Sequence, residues 1–419
     1  MMARRLWCLL FVLAACDTTS PTPTSWDGNF DNIAPGEFDY FTQLRVGVVS
    51  GAAEYEALEA QAVALIESAE FGVDVALESF ASTTVSTALV DAAANGIEVR
   101  VVGDVDLREQ AGFLALEEAG IMPIYGDGPL LWQAIFGADL VQREGEDCRM
   151  THNFILADRT RLLNMSLGFA ADAPGQAYFA TVSEKIGKDY GDIFDQLHGE
   201  VFATTLTFYH QSVSSDNNRR TYYPTEDGLV EIYFGPQEPL MKELIDRIYG
   251  ARQSVYVASS TLLNNEVARA LRYKASAGFD VRVVVGSIND EDDAAGTLGE
   301  TLNALPVAAD APIYRVNPDV SQTLVLVDAL EDTDAHRPGR GIVLSIPIFA
   351  SVPFRVAEVT QDGLRLAARP SDRFSDANMW VVHEVDGVND DFDALMGAFG
   401  THFDAGQTPM PQMDEGGAP

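Results

Sequence analysis

The sequence predicts an α/β protein of two similar halves, each a mixed sheet flanked by helices, related by a pseudo-twofold axis. Three observations predict it. Ser68 to Val102 aligns without gaps on Gly250 to Val284, and 13 of these 35 positions are identical. Each copy reads strand, helix, strand, with the continuous Val/Ile runs of a βαβ unit buried on both faces. Hydrophobic residues make up 47% of the 419 positions, enough to fill two cores. A tandem of two long units points to a duplicated domain rather than a solenoid of short repeats.

The elements follow in the same order in each half. A helix over 54–69 or 240–249 leads into a strand over 72–77 or 254–259. A second helix, 84–94 or 265–277, stops at Asn95-Gly96 or Ala277-Gly278, where glycine suits a helix C-terminus. The next strand, 97–102 or 279–285, contains the shared Val-Arg-Val-Val run, Val99 to Val102 and Val281 to Val284. Later strands are expected at 122–125, 153–156, 312–316 and 323–327, and each half closes with a helix, near 190–208 and 391–403. Gln211 to Gly228 is rich in Ser, Asn, Asp and Pro, so it reads as the linker between a first domain, 38–210, and a second, 229–405. Glu331 to Gly341 reads as an exposed loop, and 406–419 as a disordered tail.

The N-terminus reads as a targeting signal. Arg4 and Arg5 precede the apolar run Leu6 to Leu13, far shorter than the about 20 residues a membrane span needs. It ends in Leu13-Ala14-Ala15-Cys16, which resembles a bacterial lipobox. That resemblance implies cleavage after residue 15 and a diacylglycerol on Cys16. The polar tether from Asp17 onward, rich in Ser, Thr and Pro, extends to residue 37. The chain is therefore expected to be a membrane-anchored lipoprotein facing the periplasm or the exterior. Cys8 leaves with the signal and Cys16 is acylated, so Cys148 stands alone without a disulfide partner and reads as a packed residue.

Charge narrows the partners. With 27 basic against 63 acidic residues the formal net charge is −36. Such a field repels nucleic acid and anionic membrane surfaces, which argues against a nuclease or DNA-binding module, so no nucleic-acid partner is expected, and it makes polyanionic ligands costly to bind unless a pocket is locally basic.

The chemistry should lie where each half carries its degenerate motif. The duplicated halves, the Val-Arg-Val-Val strand and the strands after it resemble the phospholipase D superfamily over nearly the whole mature chain. In that family each half carries His-x-Lys, four further residues and Asp. Residues i and i+2 share a strand face, so the His and Lys point together into the cleft between the halves. The resemblance implies that one His attacks phosphorus, the other protonates the leaving group, and the lysines hold phosphoryl oxygens. Here the first motif reads Thr151-His152-Asn153-Phe154-Ile155-Leu156-Ala157-Asp158 and the second Ser321-Gln322-Thr323-Leu324-Val325-Leu326-Val327-Asp328. Thr151 and Ser321 take the His positions, Asn153 and Thr323 the Lys positions, and only Asp158 and Asp328 persist. The family's following Gly-Ser-x-Asn is eroded to Met165-Ser166-Leu167-Gly168 and Ser345-Ile346-Pro347-Ile348. The degenerate positions Thr151, Asn153, Asp158, Ser166, Ser321, Thr323 and Asp328 are expected to line the cleft. His152 falls on the variable middle position, so alternation turns it away from Thr151 and Asn153, and it reads as a packed or loop histidine rather than a catalytic one.

Other constellations have plainer explanations. No paired cysteines or His-Glu-x-x-His signature exists, so no metal or cofactor is expected. Asn289 to Asp293 lacks the spaced ligands and central glycine of a calcium loop and reads as a solvated loop before a helix. Asp390 to Asp393 reads likewise as acidic residues at the start of the last helix. Arg143, Arg149, Arg159 and Arg161 surround the first motif and read as exposed charges balancing Glu144, Glu146 and Asp147, with a local anion site as the alternative. The expected function is that of a lipid-anchored pseudoenzyme that binds a ligand or partner. The alternative is a working phosphodiesterase with relocated groups, His152 and the nearby arginines first among them.

Overall fold

The computed structural model describes residues 43–49, 51–104, 107–126, 150–170, 176–198, 222–225, 228–235, 240–260, 265–287, 299, 302–305, 313–321, 323–328, 341–344, 353–360, 363–370, 377–384 and 390–408. The expectations for Cys16 and the N-terminal segment, for Arg143, Cys148 and Arg149, for Gln322, for 289–293 and for 345–348 lie outside these residues.

The first half runs β1 (Gln43–Val49), α1 (Ala52–Glu67), β2 (Gly72–Leu77), α2 (Thr83–Ala94), β3 (Glu98–Asp104), α3 (Ala111–Glu118), β4 (Ile124–Gly126), β5 (Asn153–Ala157), β6 (Arg161–Met165), β7 (Gln176–Val182) and α4 (Glu184–Leu197). Its sheet has the order β1-β7-β6-β5-β2-β3-β4, with β2, β3 and β4 parallel and the other pairings antiparallel.

The second half runs β8 (Tyr222–Thr225), β9 (Gly228–Gly235), α5 (Leu240–Gly250), β10 (Ser254–Ser259), α6 (Asn265–Ser276), β11 (Asp280–Val285), β12 (Tyr314–Val316), β13 (Leu324–Val327), β14 (Gly341–Leu344), β15 (Pro353–Thr360), β16 (Gly363–Pro370), β17 (Ala377–Glu384) and α7 (Asp390–Ala405). Its order, β12-β11-β10-β13-β14-β17-β9-β8, repeats the first sheet strand for strand. It adds β8 at the edge and the separate hairpin β15-β16 between β14 and β17.

Three expectations change. β8 falls inside the stretch read as linker and pairs with β9, its Pro224 tolerated because the strand is an edge. The closing helix of the first half starts at Glu184 rather than near Tyr190, because the Ser183 hydroxyl accepts from the Ile186 amide and fixes an N-cap. The tail begins in order, since Gln407 and Val316 exchange backbone hydrogen bonds of 2.8 Å each.

Strand alternation divides the core into three. α1, α2 and α3 cover one face of the first sheet, with Val73, Val75, Leu77 and Ile155 inward. α5 and α6 cover one face of the second, with Val255, Val257, Val325 and Val381 inward. The remaining faces of both sheets join α4 and α7 in one central cluster that includes Phe154, Phe179, Tyr190, Phe234, Leu324, Trp380 and Phe399. The halves are therefore fused by a shared apolar seam.

One polar device recurs in both halves. Asp158 follows β5 in the left-handed region, φ 51, and its carboxylate accepts from the amides of Glu70, Phe71 and Gly72 at 2.8–3.2 Å. Asp328 follows β13 with φ 54 and accepts from the amides of Arg252, Gln253 and Ser254 at 2.6–3.2 Å. Each carboxylate thus clips the turn that delivers the chain from the first helix of the half into its first central strand. Burial alone would raise the Asp158 pKa, but the three amides and Arg161 outweigh it and hold the group below its usual 3.8. This contribution is complete above the ordinary carboxylate range and is lost as acid protonates the group. Asp158→Ala and Asp328→Ala should each cost about 3 kcal/mol at neutral pH, since several charge-assisted bonds go together. Asp158→Asn, which tolerates the left-handed backbone and keeps one acceptor, should cost less. Denaturant unfolding of the three variants checks this order.

Candidate functional site

The degenerate motifs were expected to face the cleft, and β5 places them otherwise. His152, Phe154 and Leu156 alternate toward the central seam, whereas Asn153 shares its strand face with Ile155 and Ala157, which pack in the outer core of the first half. The second half repeats this: Leu324 and Leu326 face the seam, and Thr323 shares the face of Val325 and Val327. The alternation read from the sequence holds, but the seam lies on the side of His152, opposite to the side expected.

Most of the motif positions have a bonding role. Asn153 is fully buried; its Oδ1 accepts from the Glu78 amide at 3.0 Å and its Nδ2 donates to the Thr151 carbonyl at 3.3 Å. Thr323 meets the Ser259 hydroxyl at 3.3 Å. The Ser166 hydroxyl accepts from the Ala177 amide at 3.1 Å, extending the β6-β7 ladder. Asp158 and Asp328 sit at the far ends of their strands, on the clipped turns rather than in a cleft. Thr151 is buried beside His152, and Ser321 is half-buried.

The arginines also resolve differently from the expectation. Arg159 donates to Asp195 at 2.6 Å and lies 3.8 Å from Asp74. Arg161 donates to Asp158 at 3.0 Å and to the Ser68 carbonyl at 3.1 Å. Their charges are taken by Asp74, Asp195 and Asp158, which removes both from any local anion site. The arginine of the repeated Val-Arg-Val-Val run is likewise structural. Arg100 grips Asp74 with two bonds of 2.7 and 2.8 Å and caps the Phe194 ring, while Arg282 grips Asp280 and caps Tyr256.

What fills the seam is a polar chain that was not foreseen. Trp380 Nε1 donates to the Tyr190 hydroxyl at 2.5 Å, which donates to Asn164 Oδ1 at 3.3 Å. Asn378 Nδ2 donates to Asn164 Oδ1 and to His152 Nδ1, each at 3.1 Å. Phe179 of one half stacks on Trp380 of the other, centroids 4.6 Å apart, and the His152 ring lies 5.8 Å from Phe154 and 6.2 Å from Phe234. Asn164 alternates with Leu162 on β6, and Asn378 with Trp380 and Val382 on β17. A lone amide on an otherwise apolar strand face is the signal that marks both.

His152 is enclosed and uncharged. Its Nδ1 accepts from an amide that can only donate, so the ring is neutral with its proton on Nε2. Burial pushes its pKa down to about 3, and no charged group contributes to that shift. Among the described residues no three His, Cys, Asp or Glu side chains are placed to hold a metal ion, and no helix is long and apolar enough to cross a membrane.

No family model matches the sequence, and no curated protein matches it. Among solved structures, phosphatidylserine synthase of Haemophilus influenzae Rd KW20 aligns over 89% of this chain and 88% of its own, with a TM-score of 0.54 at 10% identity. The chain has a phospholipase D-type fold. At that identity the likeness shows fold alone. Polyphosphate kinase from Porphyromonas gingivalis aligns over 81% of this chain at 13% identity and a TM-score of 0.48; this chain spans about half, 47%, of its length. Nuc from Salmonella typhimurium, a phospholipase D family member, aligns with 37% of this chain and 93% of its own at 15% identity and a TM-score of 0.30.

Two predictions follow from this geometry. The unfolded chain protonates His152 near its usual 6.5 and the folded chain only near 3, so His152 costs stability as the pH falls through that window. His152→Gln should flatten the acid limb by about 1.4 kcal/mol per pH unit there, as thermal unfolding at pH 7, 5 and 4 would show. Gly168 has φ +63, and a Cβ there would lie 2.5 Å from Asn153 Oδ1 and 2.8 Å from the Ser79 carbonyl. Gly168→Ala should therefore destabilise by about 3 kcal/mol, and Asn153→Ala should relieve part of that loss in a double-mutant cycle.

Proposed function

We propose that this chain is a lipid-anchored, phospholipase D-like protein that no longer cleaves phosphodiesters and acts instead by binding a ligand or partner at the membrane. The fold supports kinship with phosphodiesterases and phospholipid-processing enzymes. The lipobox-like Cys16 and its tether support the anchor. The observation that carries the loss of activity is His152: the histidine nearest the family's nucleophile is a neutral, fully buried seam residue held by Asn378. A phosphohistidine mechanism needs an imidazole that substrate can reach, with a group that orients it and cations for the phosphoryl oxygens. His152 has an amide and two phenyl rings instead. Thr151 and Ser321 put hydroxyls, weak nucleophiles in themselves, where the resemblance places the family's histidines.

The position of His152 between the halves is the one observation that favours a working enzyme, so the test must address it. The full chain should turn over neither a chromogenic phosphodiester nor a labelled phospholipid above background. His152→Gln and the Thr151→Ala/Ser321→Ala pair should leave that background unchanged. Steady turnover abolished by either variant would sink the proposal.

A further inference from the structure

The halves are duplicated in order but not in surface. Through the repeat, Glu67, Glu70 and Asp91 of the first half correspond to Tyr249, Arg252 and Tyr273 of the second, and Thr87 and Val90 to Arg269 and Arg272. All five second-half residues are exposed, Tyr249 by 46% and Tyr273 by 60%. Arg269, Arg272 and Tyr273 share one face of α6 by their spacing. The Tyr249 and Tyr273 rings meet edge-on between α5 and α6, centroids 5.7 Å apart. Lys274 on α6 donates to the Ala251 carbonyl at 2.6 Å and so holds α6 against the turn that carries Arg252. Arg269 pairs with Glu266 at 3.2 Å while 74% exposed, a contact of little strength. Arg252 and Arg272 have no carboxylate partner among the described residues.

In a chain with 63 acidic and 27 basic residues, arginines with no carboxylate partner among the described residues, beside exposed tyrosines, are a local reversal of charge. Guanidinium matches phosphate oxygens, and tyrosine partitions to the headgroup level of a bilayer, ring toward the chains and hydroxyl toward water. We propose that this arginine–tyrosine face of the second half docks on phospholipid headgroups and orients the tethered protein on its bilayer. The inference rests on the lipid anchor at Cys16. The tether holds the chain at high local concentration next to the surface, overcoming the long-range repulsion that −36 would otherwise impose. Once the chain is held there, the same repulsion pushes the acidic faces away and turns this one inward.

The test uses the full acylated chain with Cys148→Ser, reconstituted in phosphatidylethanolamine/phosphatidylglycerol vesicles. A nitroxide is placed at Ser276→Cys, next to the patch, or at Ala94→Cys, its exposed counterpart in the first half. The label at 276 should be shielded from an aqueous nickel relaxant and accessible to oxygen dissolved in lipid, and the label at 94 should not. Arg252→Glu and Arg272→Glu should each weaken the docked state roughly fivefold or more, with the protein still floating with the vesicles. If Cys16 carries its lipid by mass spectrometry and the two labels are equally wet, docking is wrong and the anchor stands. If Cys16 is unmodified and the protein does not float, both readings fall. Shielding at 276 that is the same in detergent without vesicles would assign the face to a second copy of the chain and overturn the proposal.

Discussion

The fold depends on a carboxylate held against three backbone amides. In each half the chain must leave its first helix and enter the strand on which the rest of that sheet is built, and the turn exposes amides that no ladder satisfies. Asp158 and Asp328 take those amides at the cost of a left-handed backbone, and so tie a strand end to a turn more than 70 residues away in sequence. That role accounts for an aspartate at the same place in both halves. It serves the scaffold.

The seam is the second constraint. An apolar layer shared by two sheets has little to specify its register, because apolar contacts are not directional. The Trp380–Tyr190–Asn164–Asn378–His152 chain supplies direction, since each member must meet its partner at hydrogen-bond distance. It leaves Asn164 Nδ2 and Asn378 Oδ1 without a partner among the described residues, so it does not maximise stability.

Much of the fold was legible because the repeat falls on its most regular part. β2, α2, β10 and α6 lie where the hydrophobic runs and C-terminal glycines put them, within a residue of their observed ends. The antiparallel strands were harder to see. β9 buries both faces yet carries Glu231 in its interior, a charge that looks like a loop until Arg247 and the Tyr233 hydroxyl are found bonded to it. β8 hides a proline at an edge. At the site, alternation separated His152 from Asn153 correctly, but which side meets the other half is decided by residues such as Phe234 and Asn378, more than 80 positions away. Periodicity along one strand carries no information about what that strand will face.

The contact between Asn153 and Gly168 has a consequence for how such a chain can change. A long cationic side chain at 153 would have to leave the Glu78 amide unpaired, and any side chain at 168 would strike Asn153 while Asn153 is in place. Even with Asn153 removed, the Ser79 carbonyl, 2.8 Å from such a Cβ, and the left-handed backbone would still oppose a side chain at 168. The two positions therefore constrain one another, and a change at either passes through a less stable protein, whatever selection acts on the chain afterwards.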